Sequence, residues 1–201
     1  MTALIDYGVG NLYSVEKAVA AVGGEVRITS SAEDLQKADR LILPGVGAFG
    51  DCMKNLEETG LIPTICEQIR QKKFLLGICV GLQILFESSE ESPNVSGLGI
   101  FKGRVKKINA DNLKIPHMGW NSVKSKNSSK LMRELKETPY FYFVHSYHAE
   151  PTERSIIAAT TDYGETLTAA VSRDNIFAVQ FHPEKSGDVG LQVLKNFIGR
   201  V

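Results

Sequence analysis

The feature that most constrains the fold is the alternation of short apolar segments with amphipathic segments through the first half of the chain. The segment after Asn11 places apolar side chains at helical spacing, with Asn11 as its N-cap and two glycines at residues 23–24 to end it. Such alternation is typical of parallel βαβ units, in which helices cover both faces of the sheet. Four strands are predicted in this half, at residues 2–6, 25–29, 41–44 and 74–78.

The second half of the chain has a different pattern. Before it, a helix is predicted from Asp51 as N-cap toward Glu58, followed by a helical segment that holds Pro63 in its first turn. Residues 88–99 are polar, residues 124–130 are predicted to be an exposed loop, and a last helix closes the chain. We therefore expect one α/β domain over residues 1–201. The strands predicted in this half lie at residues 101–108, 140–147, 155–161, 167–172 and 176–181.

Composition excludes several classes of function. The chain has 23 basic and 23 acidic residues, so no net charge attracts it to nucleic acid or to an anionic membrane. No apolar run reaches the roughly 20 residues of a membrane helix. The three cysteines form no CxxC pair and residues 1–6 lack the features of a signal peptide, which indicates a cytoplasmic protein with reduced thiols. No metal site is predicted, because the histidines other than His182 lack metal-ligand spacing to a carboxylate or thiolate.

Residues 77–81 read GICVG, between a predicted strand and an apolar helical segment at residues 82–86. This arrangement has the form of a nucleophile elbow, in which Cys79 adopts a strained conformation and flanking glycines prevent clashes. The start of the helix favours a thiolate, and the N–H of Val80 can donate to a developing oxyanion. A single cysteine is more often a small buried residue, so this motif alone does not decide between the two interpretations.

A second motif, QFHPE, occupies residues 180–184 after the last predicted strand. In extended backbone, His182 and Glu184 face the same side, so the carboxylate can orient the imidazole. Pro183 disfavours helical geometry at His182 and holds it extended. The alternative is a turn with a surface ion pair. Together with Cys79, this motif predicts a Cys-His-Glu triad.

A third motif, LPGVGAFG at residues 43–50, matches the pattern GxGxxG. A dinucleotide site requires that pattern after the first strand, with an acidic residue about 20 positions later, whereas this loop follows the third strand. Parallel strands end at one sheet edge, so the backbone N–H groups of this loop can instead complete an oxyanion hole beside the elbow. The position favours the oxyanion role.

These three motifs resemble the signatures of the class I glutamine amidotransferases. Further segments, DYGVGN at residues 6–11, PHMGWN at residues 116–121 and HPEKS at residues 182–186, are similar to the amidotransferase subunits of imidazole glycerol phosphate synthases. The resemblance runs nearly from end to end. One position departs from it, since Val80 stands where the family usually has leucine.

The resemblance implies a doubly wound, mostly parallel α/β fold of the flavodoxin-like type, with antiparallel strands in the second half and no cofactor. It makes Cys79 the nucleophile, His182 the proton shuttle and Glu184 its orienting partner. Other roles are carried over by position: oxyanion contacts at Gly45, Val46, Gly47 and Val80, glutamine contacts at Gln83, His145, Ser146 and Tyr147, and partner contacts at Asn11, Trp120, Asn121 and Lys185.

The function implied is hydrolysis of L-glutamine, with the ammonia passed to a separate cyclase subunit, a (βα)8 barrel, in histidine biosynthesis. One alternative is an amidotransferase subunit of another pathway, such as anthranilate synthesis, against which the segment at residues 116–121 argues. A second alternative is a noncatalytic flavodoxin-like or dinucleotide-binding module, which only the glycine-rich loop supports.

Overall fold

The computed structural model describes residues 1–110, 113–126 and 129–199. Short 3₁₀ helices lie at Lys130–Met132, Arg154–Ile156 and Pro183–Lys185. The α-helices are α1 (Leu12–Ala21), α2 (Ala32–Lys37), α3 (Phe49–Glu58), α4 (Ile62–Arg70), α5 (Val80–Gln83) and α6 (Gly187–Gly199). The strands are β1 (Thr2–Ile5), β2 (Val26–Thr29), β3 (Arg40–Leu43), β4 (Phe74–Ile78), β5 (Ser88–Ser89), β6 (Gly103–Lys107), β7 (His117–Ser122), β8 (Lys124–Ser125), β9 (Tyr140–His145), β10 (Tyr147–Pro151), β11 (Ile157–Tyr163), β12 (Glu165–Arg173) and β13 (Ile176–Val179).

A central sheet organises the fold, with strand order β2-β1-β3-β4-β13-β12-β11-β8. The first five strands in this order are parallel, and the remaining three continue the sheet in antiparallel pairs. The crossovers through α1 and α2 run in opposite directions along the sheet, so their right-handedness places these helices on opposite faces. In agreement, α1 contacts α6 and α2 contacts α4. The predicted doubly wound, mostly parallel sheet with antiparallel strands is confirmed.

The parallel strands bring the three sequence motifs to one edge of the sheet. Leu43 of β3 pairs with Gly77 of β4, and Ile78 of β4 pairs with Val179 of β13. The glycine-rich loop, the elbow and the QFHPE motif each follow one of these neighbouring strands. The three strands are almost entirely buried because helices cover both faces of the sheet, and they therefore form a rigid support for that edge.

Two smaller sheets complete the structure. One has the order β10-β6-β5, and the other pairs β7 with β9 in antiparallel register. The second sheet presents Trp120 opposite Tyr142 and His117 opposite His145. It therefore joins residues predicted to face a partner to residues predicted to line the glutamine site.

The expected start of the third helix at Asp51 is wrong. The helix α3 begins at Phe49, and Asp51 lies in its first turn. The backbone N–H groups of Phe49 and Gly50 are capped by Glu91 Oε2 at 2.8 Å and by Ser92 Oγ at 3.1 Å. These caps come from residues 42 positions away, so the local pattern does not reveal them.

Other elements also differ from the predictions. The strand predicted at residues 140–147 is two strands, β9 and β10, separated by Ser146. The apolar helical segment after the elbow forms only the short helix α5, which starts two residues earlier than predicted. The helix α2 and the strand β7 were not predicted, because neither has a strong hydrophobic pattern. The helix α2 buries only Leu35, and β7 contains Gly119 with φ of 123°. In the predicted loop at residues 124–130, Lys124–Ser125 is an edge strand, and residues 127–128 lie outside the described residues.

Candidate active site

Cys79 occupies a strained turn between β4 and α5. Its φ is 55° and its ψ is −112°, a backbone region that a residue with a side chain rarely adopts. Its N–H donates to the Val179 carbonyl at 2.8 Å, which ties the turn to β13. A Cβ added at Gly81 would lie 2.0 Å from the Leu43 carbonyl oxygen, so only glycine fits against the end of β3. The turn therefore has the backbone geometry of the predicted elbow.

His182 and Glu184 form a buried pair, with 2.8 Å between His182 Nδ1 and Glu184 Oε1. His182 is extended, with φ of −98° and ψ of 97°, as Pro183 led us to expect. The contact itself is not made across an extended strand, because Pro183 begins a 3₁₀ helix that turns Glu184 back toward the ring. The fixed φ of proline suits the first turn of a helix, so one residue both ends the extended segment and starts the turn.

The electrostatics of His182 favour its charged form. Burial lowers the pKa of the imidazole, but contacts with Cys79 and Glu184 and the charges on these two groups raise the pKa by more, to about 10. Among the described residues, His182 Nε2 has no hydrogen-bond partner of normal geometry. The nitrogen on the cysteine side is thus uncommitted, while the other nitrogen is held by the carboxylate.

The glycine-rich loop packs directly on the elbow. A Cβ at Gly45 would lie 2.6 Å from the Gly81 nitrogen, and the Val80 N–H donates to the Gly45 carbonyl at 3.2 Å. The Gly45–Val46 peptide is trans, so its N–H points opposite to its carbonyl and therefore away from Val80. In this conformation, the two expected oxyanion donors do not converge on one point.

Two buried side chains donate hydrogen bonds to backbone carbonyls of the same loop. Tyr7 donates its hydroxyl proton to the Pro44 carbonyl, and Cys52 donates its thiol proton to the Val46 carbonyl at 3.3 Å. Burial raises the pKa of the Cys52 thiol to about 11, which keeps the thiol protonated as a donor. Cys52 is therefore a buried residue that packs in the core and holds the loop.

A cleft of about 430 Å³ opens over the elbow. It brings together the predicted nucleophile, its imidazole, part of the glycine-rich loop and all four predicted glutamine contacts. The lining residues are Val46, Gly47, Cys79, Val80, Gln83, Glu91, Pro116, Val144, His145, Ser146, Tyr147, His182 and Lys185.

The His145 ring is held within the protein on both of its nitrogens. Its Nδ1 lies 2.8 Å from the Tyr147 carbonyl oxygen, and its Nε2 lies 2.9 Å from His117 Nδ1. Burial lowers the pKa of His145 to about 3 and that of His117 to about 4, so both rings are neutral near pH 7. The His145 side chain thus shapes the cleft without a free ring nitrogen.

Of the residues predicted to contact a partner, Lys185 lines the cleft, and Trp120 packs on the same Tyr142 ring as Lys185. Trp120 is 56% exposed and meets the Tyr142 ring edge to face, with 6.4 Å between centroids, while Lys185 Nζ lies 6.0 Å from the same ring. Asn121 lies in the same strand as Trp120 and bonds to His117. Asn11 stands at the start of α1, which contacts the 3₁₀ helix that carries Lys185, although its side chain makes no capping bond.

Two residues at the site, Glu91 in the cleft lining and Gln180 beneath it, have no predicted role from the sequence. Glu91 lies in the polar segment and caps α3, which no local signal indicates. Gln180 is fully buried, with its Nε2 3.8 Å from Cys79 Sγ. Strand alternation would not have found Gln180, because β13 ends at Val179 and the backbone bends at residues 180–181.

Comparisons with known proteins agree with this geometry. The sequence model of the family "Glutamine amidotransferase class-I" matches residues 3–201. This chain belongs to the class-I glutamine amidotransferase family. This amidotransferase is 52% identical to imidazole glycerol phosphate synthase subunit HisH of Methanothermobacter thermautotrophicus, over 98% of each chain. It is 50% identical to the HisH subunit of Thermosynechococcus vestitus, over 99% of this chain and 96% of that one.

The fold of this amidotransferase is also that of solved structures. PurLQS from Thermotoga maritima superposes with a TM-score of 0.78 at 19% identity, covering 98% of this chain and 96% of that chain. In the described residues of this amidotransferase, no helix is long and apolar enough to cross a membrane. The same part of the chain contains no group of three or more His, Cys, Asp or Glu side chains arranged to hold a metal ion.

Proposed function

We propose that this amidotransferase is the glutaminase subunit of an imidazole glycerol phosphate synthase, and that Cys79, His182 and Glu184 hydrolyse L-glutamine. The observation that carries the catalytic part is the buried His182–Glu184 pair, with its uncommitted Nε2 on the side of a cysteine in a strained elbow. The observation that carries the choice of enzyme is the identity of about 50% to HisH subunits over nearly the whole chain.

The thiolate of Cys79 attacks the carboxamide carbon of glutamine, and a C–S bond forms as the carbonyl oxygen becomes an oxyanion. His182 gives its proton to the amide nitrogen of glutamine, and the C–N bond breaks. Ammonia departs, and a glutamyl thioester remains on Cys79. Water then attacks the thioester while His182 takes a proton, and the C–S bond breaks to release glutamate and the thiolate. Glu184 keeps the His182 tautomer and stabilises its charged form throughout.

The ammonia acceptor, in this proposal, belongs to a separate cyclase subunit, a (βα)8 barrel that docks on the rim of the cleft. The exposed Trp120 and the cation of Lys185, both next to Tyr142, are the proposed contacts, with Asn11 and Asn121 beside them. Exposed aromatic side chains are enriched in protein interfaces, which supports the assignment of Trp120. The three free thiols favour a reducing compartment such as the cytoplasm.

We also propose that the glycine-rich loop is a switch that a partner subunit operates. In the described conformation, the Gly45 carbonyl occupies the Val80 N–H, so an isolated subunit is expected to be a poor glutaminase. Rotation of the Gly45–Val46 peptide would release the Val80 N–H and turn the Val46 N–H toward the oxyanion. A partner subunit that binds the rotated form more tightly would couple ammonia release to the presence of the subunit that uses the ammonia.

The test of the catalytic assignment is glutamate release by Cys79→Ala. No thioester forms without the thiol, so activity should fall to background while partner binding persists. Cys66→Ala is the matched control, because Cys66 is a partly buried residue of α4, which does not line the cleft. Cys52 is less suitable as a control, because its thiol holds Val46.

A folded Cys79→Ala protein that still released glutamate at the wild-type rate would overturn the assignment. Addition of the barrel subunit of an imidazole glycerol phosphate synthase, with and without its nucleotide ligand, tests the partner. Stimulation by an anthranilate synthase partner instead would redirect the proposal to the alternative pathway.

A further inference from the structure

A buried amide side chain contacts the nucleophile from the protein interior. Gln180 follows β13, is fully buried, and directs its Nε2 toward Cys79 Sγ at 3.8 Å. That length is within the range of hydrogen bonds to sulfur, and its Oε1 accepts from Gln83 Nε2 at 3.1 Å. The triad mechanism uses neither of these contacts.

The direction of the Gln180 amide is forced by a backbone carbonyl. The Tyr147 carbonyl can only accept, so the Gln83 atom 3.0 Å from it must be the nitrogen. The second hydrogen of that nitrogen then points to Gln180, which must present its oxygen. A reversed Gln180 amide would place two NH₂ groups against each other, so its nitrogen is the atom that faces Cys79.

We propose that Gln180 is a positioning residue that holds an amide N–H on the Cys79 sulfur, and that Gln83 acts through Gln180 by setting the direction of its amide. A neutral N–H donor favours the anionic form of the sulfur that it contacts and restricts its rotation. This inference rests on the proposed function for its catalytic consequence, but its structural content concerns the sulfur alone.

The Tyr147 carbonyl on β10 also fixes the direction of hydrogen bonds that reach the small sheet of β7 and β9. The Tyr147 carbonyl also accepts from His145 Nδ1, which leaves His145 Nε2 as an acceptor for His117 Nδ1. His117 Nε2 then accepts from Asn121 Nδ2 at 3.1 Å. Every donor and acceptor is thus assigned, from the cleft rim to the nucleophile.

The test follows Cys79 alkylation by iodoacetamide against pH, without glutamine or partner, with the Cys79 peptide quantified by mass spectrometry. Gln180→Met keeps an unbranched side chain of similar size and removes the donor. The pH of half-maximal alkylation should move upward by about 0.7 unit, because one hydrogen bond contributes about 1 kcal/mol and one pH unit corresponds to about 1.4 kcal/mol. Gln180→Glu should move it further in the same direction, because a carboxylate would repel the thiolate.

The matched control is Gln68→Met, the same change at a buried glutamine of α4, outside the cleft. It should leave the alkylation profile unchanged even if it lowers stability. Gln83→Met should shift the profile as Gln180→Met does, and the double variant should shift it no further, because the two residues act as one unit.

An unchanged profile in both folded Gln180 variants would overturn the proposal, and additive shifts in the double variant would remove Gln83 from it. Alkylation needs no glutamine turnover, so these outcomes are independent of the Cys79→Ala activity test. Loss of the proposed function would thus leave the alkylation result standing, and the reverse is also true.

Discussion

The Val46→Pro substitution is expected to remove most of the stimulation of glutamine hydrolysis by a partner subunit. Proline has no backbone N–H, so rotation of the Gly45–Val46 peptide would release the Val80 N–H but present no second donor. The position is suited to the test, since Val46 is 37% exposed and its side chain is not part of the buried core.

The magnitude follows from the number of donors. Loss of one oxyanion donor typically costs about 10²–10³ in rate, or about 3–4 kcal/mol. In the described conformation, the Val80 N–H is bound to the Gly45 carbonyl, and the Val46 N–H points away, so neither donor is available at the start. Rotation also breaks the hydrogen bond at Val80, which opposes activation by about 1 kcal/mol. We therefore expect the stimulated rate of Val46→Pro to be about 10²–10³ below that of wild type.

The assay is glutamate release at saturating glutamine by the isolated chain, by its complex with the barrel subunit, and by the complex with nucleotide ligand. Val46→Ala is the control, because it trims the same side chain and keeps the N–H. Thermal unfolding and partner affinity of both variants show whether the loop alone has changed. Full stimulation of a folded Val46→Pro protein that binds its partner would refute the role of this peptide.

Two further predictions concern the histidines. Glu184→Gln keeps an acceptor for His182 Nδ1 but removes the buried charge that stabilises the imidazolium. The kcat for glutamate release should therefore fall by about 10²–10⁴, which is less than the fall in His182→Ala. Equal activity in Glu184→Gln and wild type would count against the triad. In the folded protein, His117 and His145 have pKa values of about 4 and about 3 and remain neutral. In the unfolded chain they take up protons near pH 6.5, so the free energy of unfolding should decrease as the pH falls from about 6.5 toward 4. By pH 5 the loss should be roughly 1–2 kcal/mol per histidine in urea unfolding, and His117→Gln should reduce this pH dependence; an identical dependence in that variant would contradict the assignment.

The amino-acid sequence alone determined the features that depend on short-range patterns. Apolar runs separated by amphipathic segments predicted the parallel half of the sheet, and β4 has the predicted bounds at Phe74–Ile78. The glycines around Cys79 predicted a strained turn, because only a few local conformations accept that spacing. Pro183 likewise predicted an extended His182, since the restriction acts on the preceding residue itself.

The tertiary structure decided the features that need atoms from distant parts of the chain. The start of α3 depends on caps from Glu91 and Ser92, and the closure of the Val80 N–H depends on the approach of Gly45 from another strand. The direction of the Gln180 amide is set by a carbonyl that lies on β10. Hydrogen-bond direction is a property of both partners, and a local pattern contains only one of them. The sequence therefore predicted the candidate catalytic residues, whereas the packing of the strands decided which donor faces which acceptor around them.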